Sequence, residues 1–422
     1  MQNLECGTEA SGPVALLYFN AGGGHRAAAH ALKAELSNRC PEWEVHLVDL
    51  FEVLDPDQRF KRLTGFAPEA YYNKRLSTGF TLGLKQELKV LQAMIRVAHP
   101  QMVRRLVRYW RDTAPRMVVS LVPNFNRALG ASLTRYRSSV TGIDEAGAAA
   151  NDSGKRQIPF VTVMTDLADY PPNFWVAPGY TEHLVCGTNH AHAQAIAQGV
   201  QQRYIHQVSG MVLSPRFYQQ QANVDHTNEA AQREEQRLLL GLKPDQPVGC
   251  VMFGGHGSAA MRRIATMLSD RPLILLCGRN QALERSLKKL ARQAPTIVMG
   301  FTEDVAHWMR LADYFIGKPG PGSISEAIHC GLPVIVTRNV WTMPQERFNT
   351  DWIHEHGLGQ VVSSTVHIPQ AVDHLTSDLA AYQQAVGQCQ NRALFEVVDV
   401  LSSLMHPSVA PVAPTESALT VA

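Results

Sequence analysis

The chain has 422 residues, of which 45% are hydrophobic, and this is enough to bury two cores of ordinary domain size. A formal net charge of only +2 gives no general attraction to nucleic acid, so nucleic acid is not predicted as a partner. Because no apolar run approaches the roughly 20 residues that span a bilayer and the N-terminus has no signal-peptide pattern, the chain is predicted to be neither exported nor integral to a membrane.

The seven cysteines indicate an intracellular compartment. They form an odd set without a Cys-x-x-Cys pair, and several lie within apolar runs. Such cysteines are typical of reduced, buried thiols, so the sequence predicts a cytoplasmic protein.

A first glycine-rich turn, Asn-Ala-Gly-Gly-Gly-His, separates the apolar run 14–19 from a helical pattern over 26–36. It ends in Gly23, Gly24 and His25. Glycines let the backbone approach an anion closely, and the first N–H groups of a helix point towards such a ligand. The turn is therefore predicted to lie at a ligand site, with an ordinary strand-to-helix turn as the alternative.

Residues 58–116 differ in charge from the rest of the chain, because they carry thirteen Lys or Arg against three acids. Seven aromatic residues are interleaved with these cations. This mixture suits an anionic membrane surface, since cations reach the headgroups while apolar side chains dip below them. The stretch is therefore predicted to be an insertion that associates with a membrane, and the alternative is a solvated helical insertion whose apolar side is core.

The first half of the chain alternates short apolar runs with helical patterns and is predicted to be one domain over residues 13–213. Residues 138–156, rich in Ser, Gly, Ala and Asp, are predicted to be a surface loop. Asp166 follows one of the apolar runs and is expected to point towards the ligand edge of the sheet. After the first strand, further strands are predicted near 45–48, 117–121, 158–164 and 183–186.

The second half repeats the alternation after a change in composition. Residues 214–246, rich in Gln, Glu and Arg, are predicted to be a linker with some helix, and residues 247–405 a second domain. The tail 406–422, rich in Pro, Ala, Ser, Thr and Val, is predicted to be disordered. Strands are predicted at 248–253, 272–277, 296–299, 314–316 and 333–337.

Two more glycine-rich turns lie in this second domain. Gly-Gly-His-Gly occupies 254–257, and Gly-Lys-Pro-Gly-Pro-Gly occupies 317–322 and opens directly into a helix. One turn inside that helix, Glu326 could accept hydrogen bonds from sugar hydroxyls. The segment predicts a seat for nucleotide phosphates beside an acid that binds ribose.

All three turns occur where a strand is followed by a helix, and they are spread over both halves of the chain. Open parallel sheets bind their ligands at this edge. The predicted fold class is therefore α/β, with two Rossmann-like doubly wound domains facing an interdomain cleft.

Six short motifs follow one another along the chain. They are Gly-Gly-Gly-His-Arg (22–26), Val-Met-Thr-Asp-Leu (163–167), Cys-Gly-Arg-Asn (277–280), Gly-Phe-Thr-Glu-Asp-Val (300–305), Lys-Pro-Gly-Pro-Gly-Ser-Ile-Ser-Glu-Ala (318–327) and Gln-Glu-x-x-Asn (345–349). In this order they resemble the monogalactosyldiacylglycerol synthase group of glycosyltransferases, which is related to the peptidoglycan lipid-intermediate N-acetylglucosaminyltransferase. The resemblance runs from about residue 14 to residue 359, with a gap over the basic insertion, and it implies the family 28-type GT-B architecture.

The resemblance implies that the C-terminal domain binds a UDP-sugar and the N-terminal domain the acceptor. The segment 320–323 would hold the diphosphate, Glu326 the ribose, and Gln345 with Asn349 the sugar hydroxyls, while the turn 254–257 would line the uridine side. The implied donor-binding residues are Gly23, Gly24, Gly255, His256, Gly257, Arg279, Phe301, Gly320, Pro321, Gly322, Ser323, Glu326, Gln345, Glu346 and Asn349.

Transfer with inversion needs a base for the acceptor proton and stabilisation of the departing diphosphate. His25 and Asp166 are the two candidates for the base, although His25 could instead cap or pack at the helix start and Asp166 could be a helix N-cap. Helix-start N–H groups could serve the leaving group, so neither a metal nor a cofactor is predicted. The UDP-sugar itself is a substrate.

The acceptor side departs from the family pattern at two positions. Many members carry a histidine before a proline near Pro123 and again near Pro172, where this chain has Val122 and Pro171. The sequence predicts an inverting glycosyltransferase that moves a hexose, galactose or glucose, from a UDP-sugar to a membrane lipid, with diacylglycerol as the leading acceptor, on the inner face of the cell membrane. The alternatives are a transferase acting on a polyprenyl-linked sugar, a UDP-sugar epimerase, and a catalytically inactive nucleotide-sugar sensor.

Overall fold

A computed structural model describes residues 12–20, 23–57, 84–141, 158–219 and 226–405. The predicted tail at 406–422, residues 58–83 of the basic insertion and residues 142–156 of the predicted loop lie outside these ranges. The first four residues of that loop, 138–141, are helical.

The described part of the N-terminal half contains six strands, and most of their residues are buried because helices cover both faces of the sheet. Its elements are β1 (Val14–Tyr18), α1 (Gly24–Arg39), β2 (Val45–Asp49), α2 (Leu50–Leu54), α3 (Leu84–Thr113), β3 (Met117–Ser120), α4 (Asn126–Thr141), β4 (Phe160–Val163), β5 (His183–Cys186), α5 (Asn189–Ala197) and β6 (Ile205–Gln207). All described pairings in this sheet are parallel, in the order β2-β1-β3-β4-β5-β6.

The C-terminal half repeats the plan with a second six-stranded sheet. Its elements are α6 (His226–Leu239), β7 (Gly249–Met252), α7 (Ala260–Met267), β8 (Leu273–Leu276), α8 (Gln281–Lys288), β9 (Thr296–Met299), α9 (Val305–Arg310), β10 (Tyr314–Gly317), α10 (Pro321–His329), β11 (Val334–Thr337), α11 (Pro344–Glu355), β12 (Gly359–Val362), α12 (Ile368–Ser377), α13 (Leu379–Gly387) and α14 (Ala393–Met405). This sheet is also parallel, in the order β12-β11-β10-β7-β8-β9.

Each sheet reverses its strand order at one point. The reversal lies between β1 and β3 in the first sheet and between β7 and β10 in the second. Ligands of open α/β sheets bind outside the carboxyl ends of the strands at such a switch point. The two doubly wound sheets confirm the predicted fold class and fix where each half can hold a ligand.

The predicted strands all occur within a few residues of their predicted bounds, but two strands were missed. β6 has only three residues, Ile205–Gln207, and two of them are polar. β12 begins Gly-Gln and has no apolar run before its two valines. Both are edge strands, where one neighbouring strand is enough to define the element and the sequence signal is weak.

The predicted linker is partly integrated into the C-terminal half. In α6, Arg233 and Arg237 form ion pairs with Asp313, and the Asp313 carboxylate also accepts the Val248 N–H at 2.7 Å. Burial of an unpaired Asp313 would be costly, so the two guanidiniums tie α6 to the start of β7.

The last helix, α14, crosses back to the N-terminal half. Leu394, Val397 and Leu401 are fully buried in the same core cluster as Val14 and Leu16 of β1. Residues up to 405 were assigned from sequence to the C-terminal domain, whereas α14 packs on the N-terminal core. The domain bounds as such stay a prediction.

Helix α3 is the described part of the basic insertion. One face is core: Ile95, Val103 and Leu106 are buried, and the Trp110 indole donates a 2.8 Å hydrogen bond to Ser132 Oγ. Arg105 donates to the Leu54 carbonyl. No described helix combines the length and apolar character needed to cross a membrane.

Candidate active site

Two of the predicted glycine-rich turns meet at the switch point of the C-terminal sheet. β7 and β10 pair with Gly317 opposite Met252, so the turns that follow them leave the sheet side by side. Gly254 has a φ of +69°, which a residue with a side chain adopts only with strain, and a Cβ there would lie 3.7 Å from Cε of Lys318. Glycine thus allows the first turn to close against the second.

The second turn leaves the first N–H groups of α10 available. Gly320 is the N-cap residue and provides no side-chain cap, and Pro321 occupies the first turn, where its missing N–H costs nothing. A Cβ at Gly322 would meet no atom within 4 Å, so that residue borders open space. Unpaired N–H groups together with the helix dipole favour an anion at this position.

Asn349 holds the backbone of this turn in place. Its amide nitrogen donates a 2.8 Å hydrogen bond to the Pro319 carbonyl, and the side chain has 0% exposure. A direct contact between Asn349 and a sugar, as the sequence predicted, does not fit a side chain that is completely buried. The residue instead fixes the backbone of the turn on which the predicted phosphate seat is built.

Glu326 lies one turn inside α10, as predicted, and its side chain is part-buried. Burial raises the pKa of its carboxyl to about 7. No described side chain pairs with it, so the fold itself gives no reason for a carboxylate here. An acid kept in such a place is consistent with the predicted binding of ribose hydroxyls.

The predicted uridine side is also assembled. The Arg279 N–H donates to the Gly255 carbonyl at 2.9 Å, and Asn280 Nδ2 donates to the His256 carbonyl at 3.2 Å, so the two loops hold each other. The Arg279 guanidinium lies 4.5 Å from the centre of the Phe301 ring, which is 56% exposed. This exposed aromatic face could stack against a base.

His25 begins the N-terminal part of the site. Gly23, with a φ of +87°, is the N-cap of α1 and again provides no side-chain cap. His25 Nδ1 lies 2.6 Å from Thr165 Oγ1, and its ring centre lies 5.9 Å from that of Trp175. Burial lowers the pKa of His25 to about 4, so the imidazole is neutral at pH 7.

Asp166 lies next to Thr165 and is held from another loop. No helix begins at Leu167, so the N-cap alternative does not apply; instead Trp175 Nε1 donates to Asp166 Oδ2 at 2.9 Å. Burial raises the pKa of Asp166 to about 7, against the effect of that hydrogen bond. The charge of Glu346 raises this pKa further and that of Lys318 lowers it, so charges of the C-terminal half act on Asp166.

Sequence reasoning missed Trp175, whose position depends on Asp169. The Asp169 carboxylate accepts hydrogen bonds from the N–H groups of Trp175 and Asn173 at 2.6 and 3.1 Å, and from Gln198 Nε2 at 2.7 Å. These bonds shape the loop that carries the indole to Asp166. The acid and the tryptophan lie six residues apart in an irregular segment, and no periodic pattern connects them.

The two halves touch across the cleft through an aromatic stack. The rings of His190 in α5 and Phe348 in α11 are stacked with centres 4.3 Å apart, and Tyr170 Oη lies 3.1 Å from His190 Nε2. Helix α11 also carries Gln345 and Glu346, two predicted donor residues, so this contact sets their distance from the N-terminal half. Gln345 is part-buried, with Nε2 lying 3.6 Å from Met343 Sδ.

Within the described residues, no group of three or more His, Cys, Asp or Glu is arranged to hold a metal ion. The candidate site has two parts: glycine-rich turns with Glu326 on the C-terminal side, and His25 with Asp166 on the N-terminal side.

Comparisons with known proteins agree with this division. Residues 250–392 match the model of the glycosyltransferase family 28 C-terminal domain. The structure resembles that of MurG from Acinetobacter baumannii, with a TM-score of 0.52, 14% identity and coverage of 93% of this chain and 100% of that one. It also resembles UDP-GlcNAc 2-epimerase from Neisseria meningitidis bound to UDP-GlcNAc, with a TM-score of 0.54, 13% identity and coverage of 93% and 99%. The fold is thus of the GT-B kind, and its C-terminal half is similar to the C-terminal domain of glycosyltransferase family 28.

Among curated proteins, the chain is similar to monogalactosyldiacylglycerol synthases, and the resemblance seen in the motifs is confirmed. It is 25% identical to the chloroplastic enzyme of Spinacia oleracea over 416 residues, or 94% of this chain and 73% of that protein. It is 29% identical to probable monogalactosyldiacylglycerol synthase 2 of Oryza sativa subsp. indica over 266 residues, or 59% of this chain. That second match spans 54% of the rice protein's length.

Proposed function

We propose that the protein is an inverting glycosyltransferase that moves a hexose from a UDP-sugar to a membrane lipid, with diacylglycerol as the leading acceptor. The observation that carries this proposal is the convergence of two uncapped, glycine-rich helix starts and the pair His25 and Asp166 on one cleft. The likeness to monogalactosyldiacylglycerol synthases supports the choice of donor and acceptor.

The donor binds to the C-terminal half. Its diphosphate lies against the N–H groups at the start of α10, which Gly320 and Gly322 leave accessible. Glu326 accepts hydrogen bonds from the ribose hydroxyls, and the exposed ring of Phe301 borders the uracil. The hexose then extends towards Gln345 and Glu346 at the start of α11, which faces the N-terminal half. No metal is required, because main-chain dipoles supply the positive potential.

The transferred bond lies between the two halves, where a base removes the proton of the acceptor hydroxyl. His25 is neutral at pH 7 and can accept that proton at Nε2 when its Nδ1 carries the hydrogen shared with Thr165. Asp166 has a pKa of about 7 and is about half ionised at the same pH. The two candidates differ in pH dependence: activity that needs unprotonated His25 falls below about pH 4, and activity that needs ionised Asp166 falls below about pH 7.

The acceptor reaches the site from an anionic membrane surface, and helix α3 supports this placement. Its solvent face is apolar at Val90, Met94 and Val97, and then basic at Arg104 and Arg108 one and two turns beyond the proline at position 100. Residues spaced three, four and seven apart share a helix face, so these side chains form a single line. The apolar side chains can contact lipid tails while the arginines contact anionic headgroups. This arrangement suits a peripheral protein on the inner face of the cell membrane.

A transfer assay tests the proposal. The protein is incubated with vesicles of diacylglycerol and anionic phospholipid and with radiolabelled UDP-galactose, UDP-glucose or UDP-N-acetylglucosamine. We expect label in a lipid product whose mass equals that of diacylglycerol plus one hexose less one water, together with release of one UDP. If label appears only with lipid extracts that contain polyprenyl-linked sugars, the acceptor is a polyprenyl-linked sugar and not diacylglycerol. Isomerised UDP-sugar without transfer would indicate an epimerase, and UDP-sugar binding without any turnover would indicate a sensor.

A further inference from the structure

Lys318 lies between the two glycine-rich turns of the C-terminal half and was given no role from the sequence. A Cβ added to Gly320 would lie 3.1 Å from Lys318 Cε and 3.4 Å from Nζ, and a Cβ added to Gly254 would lie 3.7 Å from Cε. The lysine stem therefore fills the space between the turns. Its ammonium lies beside the start of α10, so glycine at position 320 leaves room for a cation as well as for a ligand.

The ammonium forms an ion pair with one buried carboxylate. Lys318 Nζ lies 3.0 Å from Glu346 Oε1, and the side chains are 32% and 7% exposed. An ammonium has three N–H donors, and within the described residues this is the one hydrogen bond that the ammonium of Lys318 makes. A buried ion pair with few additional hydrogen bonds contributes little to stability, because the cost of desolvation offsets the attraction. The ammonium therefore has two N–H donors left over for a ligand.

The location of this cation is close to the reacting groups. Its charge, like that of Glu346, acts on the pKa of Asp166 in the opposite half. Lys318 thus lies beside the start of α10, and its charge reaches a candidate base. In a glycosyl transfer negative charge develops on the leaving diphosphate, and a fixed cation beside that diphosphate stabilises it.

We propose that Lys318 binds the donor diphosphate and stabilises the charge that develops on the departing UDP, while Glu346 holds the ammonium in position. This inference rests on the proposed function. In the transfer, the bond between the anomeric carbon and the β-phosphate oxygen breaks and its electron pair stays on that oxygen. The acceptor oxygen forms the new bond to carbon and its proton goes to the base. Lys318 keeps its own proton and neutralises the additional negative charge.

Binding of UDP, UMP and UDP-glucose to the full-length protein, measured by titration calorimetry, tests this role. Because a hydrogen bond to a charged group is strong, Lys318→Met is expected to weaken UDP binding by about 10- to 100-fold. UMP lacks the β-phosphate, so its affinity is expected to change by less than about threefold. Lys318→Arg keeps the charge and is expected to restore most of the affinity for UDP.

Lys288→Met is the matched control, because it removes another Lys–Glu ion pair, with Glu284, at the far end of α8. It is expected to leave all three affinities unchanged. Equal losses for UDP and UMP, or no loss in Lys318→Met, would overturn the assignment and leave Lys318 a structural residue. A loss for UDP no larger than that for UDP-glucose would overturn the part concerning the leaving-group charge. Wild-type protein that binds no UDP would instead overturn the proposed function and this inference together.

Discussion

Glu326→Gln should stabilise the free protein at neutral pH while impairing donor binding. The folded protein raises the pKa of this carboxyl from 4.5 to about 7, because burial opposes its ionised form. Below pH 4.5 the group is neutral in both the folded and unfolded states, so it costs nothing. As the pH rises from 4.5 to about 7, the carboxyl loses its proton in the unfolded state first, and the folded state is progressively destabilised.

The size of the effect follows from the shift. At about 1.4 kcal/mol per pKa unit, the shift from 4.5 to about 7 sets an upper limit of about 3.5 kcal/mol above pH 7. Because Glu326 is only part-buried, solvent screening reduces the expected gain to about 1–2 kcal/mol. Loss of a charged acceptor for the ribose hydroxyls is expected to weaken UDP binding by about 10- to 100-fold.

Urea unfolding of both proteins between pH 4 and pH 8 measures the stability difference, and calorimetry measures UDP affinity. The stability difference should grow between pH 4.5 and pH 7 and level off above, on top of any constant offset from the substitution. Glu355→Gln, which neutralises an exposed acid on α11, should show no such growth. A difference that is independent of pH, or that shrinks as pH rises, would refute the burial of an unpaired carboxyl at position 326.

The other predictions concern the base and the membrane surface. His25→Ala should lower turnover by at least about 100-fold while changing UDP affinity by less than about twofold, and normal kinetics in this variant would remove His25 from the chemistry. Trp175→Phe keeps an aromatic ring but removes the hydrogen bond to ionised Asp166, so the acid limb of kcat/KM should move up by about one pH unit; an unmoved limb would exclude Asp166 as the titrating base. Val97→Asp should weaken sedimentation with anionic vesicles, whereas Val366→Asp, at an exposed valine of the C-terminal half, should not. Equal binding by both variants would show that α3 is not the surface that contacts the membrane.

The local signals in the sequence were sufficient for the fold class, although not for the edge strands β6 and β12. Apolar runs such as Val14–Tyr18 and Leu273–Leu276 become buried parallel strands, because a strand covered by helices on both faces must be apolar throughout. The glycine-rich turns were also identifiable, since Gly23 and Gly254 adopt positive φ angles that few other residues tolerate. In the same way, Glu326 follows its turn at a spacing that the helix fixes.

The pairings that complete the site depend on tertiary structure. Lys318 and Glu346 are 28 residues apart, and His25 and Thr165 are 140 apart, so no local period links them. The motif predicts Asn349 to be a donor-binding residue, but only packing decides that its amide turns inward to Pro319.

The sequence by itself determined two α/β halves, their glycine-rich ligand edges and the residue types that can bind phosphate and sugar. Only the tertiary structure decided which charged groups face each other across the cleft, and that the last helix returns to the first core. The reason is physical: backbone preferences and apolar periodicity act over a few residues, whereas burial, pKa and ion pairing depend on neighbours that only the folded chain brings together.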